Sequence, residues 1–274
     1  MEALRQIEAW PAEHAAAGVA SADRVLAAAG DRSHAFAWAS VTKLLTAYAA
    51  LIAVEERTIE LDEPAGPPGS TVRHLLAHAS GLAWDSDKAL GRPGQFRTYS
   101  NSGFEAVAEH LAERAAMPFG AYLRGAVLEP LGLAAELEGS PAGGMTGPLD
   151  DVLRFGCELL APTLVAPETL AEATSVQFPG LVGVLPGFGR MEPNDWGLGF
   201  ELKDAKSPHW TGSRNSPRTF GHFGSKPGSA TFVWVDPDAG LACAALADVS
   251  FGDWAKEAWP RLSDAVLSEA STQG

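Results

Sequence analysis

Ser40 and Lys43 stand three residues apart at the head of an apolar run. Ala39-Ser40-Val41-Thr42-Lys43 leads into Leu44, Leu45, Ala47, Tyr48, Leu51, Ile52 and Val54. Apolar residues recurring at three- and four-residue intervals predict a helix, and serine is favoured at a helix start. The two side chains then share one face, a turn apart. A serine hydroxyl becomes a competent nucleophile when a neighbouring base takes its proton. Lysine can be that base once burial lowers its pKa, and no charged residue follows Lys43 until Glu55. The partial positive charge of a helix N-terminus also favours an oxyanion nearby. A two-residue pattern is common by chance, however. An N-capping serine followed by a solvated lysine reads this stretch as well, and the choice rests on partners downstream.

Two later stretches could supply them. Tyr99-Ser100-Asn101 follows a glycine- and proline-bearing loop and precedes a helix predicted over 103–115. Residues two apart in extended backbone point the same way, so Tyr99 and Asn101 project into one cleft. His222-Phe223-Gly224 lies in a strand predicted over 219–224, where glycine permits close backbone approach. His74 and His78 are four apart and could share a metal. No glutamate sits between them in the zinc-protease pattern and no third ligand is evident, which favours hydrogen-bonded structural histidines.

The elements that must position these residues follow from patterning. Leu4, Ile7 and Trp10 predict a short helix ending before Pro11. Short strands are expected over 16–21 and 25–29, although alanine is a poor strand former. Ser70 to His78 reads as a capped helix halted at Ser80-Gly81, and further helices are expected over 119–128 and 148–160. Strands are expected over 197–202, and over 231–235 and 241–247 as a hairpin. A last amphipathic helix places Phe251, Ala255, Trp259, Leu262 and Val266 on one face. The expected architecture is an α/β domain from 1–61 and 185–274, with a helical domain, 62–184, inserted into it.

The chain has 274 residues, 46% of them apolar, which is ample for a sizeable core. A net charge of -14 argues against nucleic acid and anionic membranes as partners. Cys157 and Cys243 lie in apolar surroundings and read as buried free thiols. The N-terminus shows no basic region followed by an apolar core, and the longest uncharged apolar run, 44–54, is too short for a bilayer. A cytoplasmic protein is expected; its oligomeric state is open.

Taken in order, Ser40-Val41-Thr42-Lys43, Tyr99-Ser100-Asn101 and His222-Phe223-Gly224 resemble the three motifs of the superfamily of class C β-lactamases, penicillin-binding proteins and family VIII esterases. The flanking stretches His74-Leu75-Leu76-Ala77-His78-Ala79-Ser80-Gly81-Leu82 and Phe232-Val233-Trp234-Val235-Asp236-Pro237 are similar too, so the resemblance covers nearly the whole chain. It implies an antiparallel sheet flanked by terminal helices, plus a helical region, with the active site between them. It implies Ser40 as the acylated nucleophile, Lys43 as its proton acceptor and Tyr99 as phenol or phenolate relaying protons. It implies Asn101 as a hydrogen-bonding partner of substrate and Lys43. It also implies that His222, Gly224 and Ser225 line the substrate site, with the N–H groups of Ser40 and Ser225 as oxyanion hole. No metal or organic cofactor is implied.

The competing Ser-His-Asp arrangement has no Gly-x-Ser-x-Gly elbow in this chain. Many β-lactamases and peptidases carry Lys-Thr-Gly as third motif, binding a substrate carboxylate. Phe223 cannot donate that hydrogen bond, though Lys226 is near. The expectation is therefore a serine hydrolase acting on a small acyl ester. A β-lactamase or D-amino-acid peptidase is the enzymatic alternative, and a non-catalytic descendant that binds a ligand or partner in the old cleft is the other.

Overall fold

A computed structural model describes residues 1–272. Its centre is a six-stranded antiparallel sheet drawn from both ends of the chain. The strands are β1 (Ala15–Ala20), β2 (Val25–Gly30), β3 (Glu201–Leu202), β4 (Phe220–Lys226), β5 (Ser229–Asp236) and β6 (Leu241–Ala247), in spatial order β2-β1-β6-β5-β4-β3. Strand side chains alternate between faces. Val233, Val235, Ala242, Ala244 and Leu246 join one apolar cluster, and Phe232, Trp234, Leu241, Cys243 and Ala245 join the other. The sheet is thus covered on both sides, which is why β5 and β6 read as nearly continuous apolar runs.

One face carries the helices α1 (Thr42–Glu55), α2 (Asn101–Ala115) and α3 (Leu149–Leu160). The other carries the 3-10 helix Glu2–Ala9 and the C-terminal helix α4 (Asp253–Ser271). Strands β1 and β6 are rich in alanine, yet form the sheet's interior because α3 lies on them. A Cβ at Gly18 would fall 2.5 Å from Leu153 Cδ1, and one at Gly156 2.9 Å from Ala242 Cβ. Small residues let helix and sheet approach closely, and burial overrides poor strand propensity.

Every residue of α1 from Thr42 to Ala53 is buried. The helix is therefore not amphipathic but enclosed all round, in keeping with the absence of any charged residue between Lys43 and Glu55. Several expected boundaries move. The helix expected over 70–78 spans only Val72–Leu76, and its capping side chain is Thr71, which accepts from His74 N–H. The helix expected over 119–128 is α-helical to Leu123, then π-helical over Arg124–Leu128. Only Glu201–Leu202 of the expected 197–202 pairs as strand. Phe251 precedes α4 and is not on it. Among the described residues, no helix is long and apolar enough to cross a membrane.

Candidate active site

The segment Trp38–Thr42 enters α1 through a 3-10 turn, Ala39–Val41, that puts Ser40 at the edge of β4. Ala39 has φ 47, the left-handed region that costs a non-glycine residue about 1–3 kcal/mol. The surroundings hold it there. Trp38 N–H donates to Met145 O at 2.9 Å, its indole N–H to Gly147 O at 3.0 Å, and Thr231 Oγ1 donates to Trp38 O at 2.9 Å. Ser229 Oγ donates to Ala37 O at 2.6 Å. Ser40 is not the helix cap expected from its type. Helix α1 begins at Thr42 with Val41 in the cap position, and no side chain caps it. The hydroxyl of Ser40 stays free of the backbone.

Lys43 is fully buried, which excludes the solvated alternative. Its Nζ lies 2.6 Å from Asn101 Oδ1, 2.7 Å from Ala142 O and 3.2 Å from Ser40 Oγ. Burial lowers its pKa to about 7, against the pull of the Asp85 and Glu105 carboxylates toward the ammonium. In the neutral amine two N–H groups serve the two carbonyl oxygens, and the lone pair is left for the Ser40 hydroxyl. The Ala142 carbonyl is fixed by α1 itself: Thr46 Oγ1 donates to Pro141 O at 2.7 Å, and Thr42 Oγ1 accepts from Met145 N–H at 3.0 Å.

Tyr99 and Asn101 reach the same place from the start of α2. Ser100, between them, caps that helix by accepting from Gly103 N–H at 3.0 Å. The Tyr99 ring centroid is 4.9 Å from Lys43 Nζ. Burial holds its phenol above the usual range, an effect opposed by its interaction with the Ser40 hydroxyl. The resting form is thus phenol, not phenolate. His222 Nδ1 lies 2.6 Å from its neighbour's carbonyl, Phe223 O. That bond assigns the proton to Nδ1 and leaves Nε2, 3.5 Å from Tyr99 Oη, as acceptor. Burial, helped by Lys43, lowers the His222 pKa to about 3.

These groups face a cavity of about 200 Å³ lined by Ser40, Tyr99, His222, Phe223 and Ser225 among others. Phe223 forms part of its apolar wall, packed on Phe188, Phe251 and Trp259. Gly224 meets no cavity. A Cβ there would fall 2.3 Å from Trp38 O and 2.4 Å from Thr231 Oγ1, so its lack of a side chain is what lets β4 press against the Ser40 turn. Lys226 is exposed.

His74 and His78 have separate partners. His74 stacks on Phe178 with centroids 4.3 Å apart, and its Nδ1 lies 2.9 Å from Thr71 Oγ1. His78 Nδ1 accepts from Ser100 N–H at 3.1 Å, and its ring packs on Tyr99 at 4.5 Å. Both cysteines are free; Cys243 is buried and Cys157 partly so.

Sequence reasoning missed three contributors. Asn101 Nδ2 donates to Asp85 Oδ1 at 2.6 Å, which fixes the amide so that its oxygen faces Lys43. Arg97 is buried without a carboxylate partner, and its guanidinium donates to Ala77 O, Gln177 O, Phe178 O and Asn194 O. The Glu201 carboxylate behind the cavity accepts from Lys206 Nζ at 2.6 Å, from His209 Nε2 at 3.0 Å and from the Trp210 indole. Burial would raise its pKa, but His209 and Lys206 outweigh that and keep it ionised. Only the run of polar residues 201–211 hinted at the last cluster.

The chain belongs to the Beta-lactamase family, a family of hydrolases: residues 10–136 and 133–267 match it. Among solved structures, a beta-lactamase from Mycobacterium bovis is 54% identical, covering 98% of this chain and 99% of that one, with a TM-score of 0.95. A hydrolase with promiscuous acyltransferase activity, EstCE1, is 20% identical over 97% of each chain, with a TM-score of 0.75. A D-stereospecific amidohydrolase from Streptomyces sp. is 20% identical, over 94% of this chain and 96% of that one, with a TM-score of 0.69. The last two speak for the fold alone. No curated protein matches the chain.

Proposed function

We propose that the protein is a serine hydrolase that forms an acyl-enzyme on Ser40 and prefers neutral esters of small acids. The observation that carries this reading is Lys43: buried, donating to two carbonyl oxygens, with its third direction on Ser40 Oγ at 3.2 Å. The Ser40 proton passes to the Lys43 amine as Oγ attacks the acyl carbon. The Ser40 and Ser225 N–H groups receive the oxyanion; such donors contribute about 10² to 10³ in rate each. The Tyr99 phenol hands its proton to the departing oxygen and recovers one through Lys43. Water then repeats the sequence in reverse order to release the acid. The preference for neutral esters is supported by the aromatic wall at Phe223, a side chain that cannot donate a hydrogen bond to a substrate carboxylate. A lost charge-assisted hydrogen bond costs about 1.5–3 kcal/mol.

A second reading, β-lactam hydrolysis, is favoured by the 54% identity to a protein called a beta-lactamase. Intact-mass measurement after fluorophosphonate treatment tests the shared chemistry. One adduct, on the peptide bearing Ser40 and absent from Ser40→Ala, is expected; an adduct that persists in the variant refutes it. Turnover of p-nitrophenyl acetate beside nitrocefin separates the two substrates, and faster nitrocefin hydrolysis would overturn the ester preference.

A further inference from the structure

Three of the six large apolar side chains exposed among the described residues, Trp84, Leu90 and Val184, share one groove of about 520 Å³. Solitary exposed apolar residues need no explanation, but a cluster beside a cavity marks a binding surface. The groove adjoins the candidate active site and shares Trp84, Tyr99 and Pro186 with it. Its walls are built before any ligand arrives. One is the segment 84–98, whose Trp84 carbonyl accepts from Asn101 N–H at 2.7 Å and Ser102 N–H at 3.2 Å, at the start of α2. The other is the strand pair Gly183–Leu185 and Gly189–Met191. They are tied at the base, where Arg97 N–H donates to Val182 O at 2.9 Å. A Cβ at Gly183 would fall 2.4 Å from Arg97 O, so glycine sets that close approach.

The groove offers little to a charged ligand. The Arg97 guanidinium is turned inward and spent on four carbonyls. Arg190, at the rim, is paired with Glu192 at 3.1 Å. What remains is an open hydrocarbon trough beside Tyr99.

We infer that this groove binds the alcohol half of the substrate, so that the natural ester joins a small acid to an alcohol bearing an extended apolar chain or ring. The inference rests on the acyl-enzyme reading, and the direction of binding follows from which residues face which space. Ser40 and Ser225, the nucleophile and oxyanion donor, line only the inner cavity. The acyl carbon and its substituent therefore sit there, and about 200 Å³ is below the usual range for ligand pockets, so the acid is small. Tyr99 lines both spaces. The bond from acyl carbon to alkoxy oxygen breaks as the bond to Ser40 Oγ forms. The proton taken from Ser40 is returned through Lys43 and Tyr99 to that alkoxy oxygen, so the alcohol leaves across Tyr99 into the groove. Water supplies the second half-reaction and carries the acid away.

Two ester series test this. In alkyl acetates from ethyl to octyl, kcat/KM should rise about two- to fourfold per methylene, the transfer value for half to full burial of a CH2. In ethyl esters from acetate to octanoate it should fall once the acid outgrows the cavity. Leu90→Asp and Val184→Asp place a charge on exposed positions of the groove, and each should lower the octyl-to-ethyl ratio at least tenfold, with melting temperature as the folding control. Binding of 1-octanol to Ser40→Ala, followed by tryptophan fluorescence and calorimetry, needs no turnover. It should weaken at least tenfold in the two aspartate variants. Octanol binding that the aspartates do not touch, or no binding, overturns the groove. So does an alcohol series that stays flat while esters are hydrolysed. If octanol binds as expected and no ester turns over, the groove stands and the esterase reading falls.

Discussion

Acid should silence this protein through one nitrogen. In the proposed mechanism Lys43 acts as base only as the neutral amine, and burial lowers its pKa to about 7. Its working fraction is then about a half at pH 7, a tenth at pH 6 and a hundredth at pH 5. Because the neutral form increases with pH, kcat/KM should climb with unit slope on the acid side and level off above about pH 8. The limb is assignable because its neighbours do not titrate there. His222 is lowered to about 3, burial puts His78 well below its ordinary value, and the Tyr99 phenol is raised. The structure also names the handle that moves the limb. The Asp85 and Glu105 carboxylates favour the ammonium. Asp85→Asn removes one of them while its amide oxygen can still accept from Asn101 Nδ2. The inflection should therefore shift to lower pH, and activity at about pH 6 should rise relative to the plateau. Hydrolysis of p-nitrophenyl acetate, read at the isosbestic wavelength of nitrophenol, measures both. A profile flat from about pH 5 to 8 would refute Lys43 as the base. An inflection that Asp85→Asn leaves in place would refute the electrostatic account.

Lys43→Ala and Tyr99→Phe should each cost about 10² to 10⁴ in kcat/KM, and the double variant far less than the product, because members of one proton relay are not additive; multiplicative losses would show separate roles. Gly224→Ala must displace Trp38 O or Thr231, since the new Cβ would lie 2.3–2.4 Å from them. An ångström of misplacement costs about 10² in rate, so activity should fall by that order with circular dichroism retained, and parental turnover would dissociate Gly224 from the Ser40 turn. Arg97→Met leaves three buried carbonyls and a part-buried one without a donor and should lower stability by at least about 3 kcal/mol in urea denaturation, at about 1–3 kcal/mol for each buried unsatisfied group; a loss under about 1 kcal/mol would mean that water replaces the guanidinium.

Much of this arrangement was legible because it is written in local patterns. Two apolar runs on either side of the turn-forming segment 236–240 and the apolar run after Lys43 located β5, β6 and α1, and the type and spacing of Ser40, Lys43, Tyr99 and His222 singled out side chains that do converge. The misreadings share a cause. Serine at a helix start suggests a cap, but the Ala39 turn, stabilised by Thr231 and Met145 from far along the chain, moves the cap to Val41. Tyr99 could be read as phenol or phenolate, because burial depends on which helices cover it. Asp85, Ala142 and Arg97 were invisible for a simpler reason: a carbonyl has no residue type, and an arginine in a loop reads as solvated until three distant segments close over it.

The strand pairing has a consequence for the protein's birth. Ala15 of β1 pairs with Ala247 of β6, and β1 has no central neighbour until β6 exists. The ledge on which the Ser40 turn rests, Gly224 with Thr231, belongs to β4 and β5, and comes almost as late. A ribosome that has finished Ser40, Lys43, Tyr99 and Asn101 has made the reactive groups but nothing to hold the hydroxyl in place. Contacts of such long sequence separation form slowly. On the acyl-enzyme mechanism proposed above, the nascent chain would carry Ser40 in an inert state, and a transcript broken before the last hairpin should yield a fragment without hydrolytic activity.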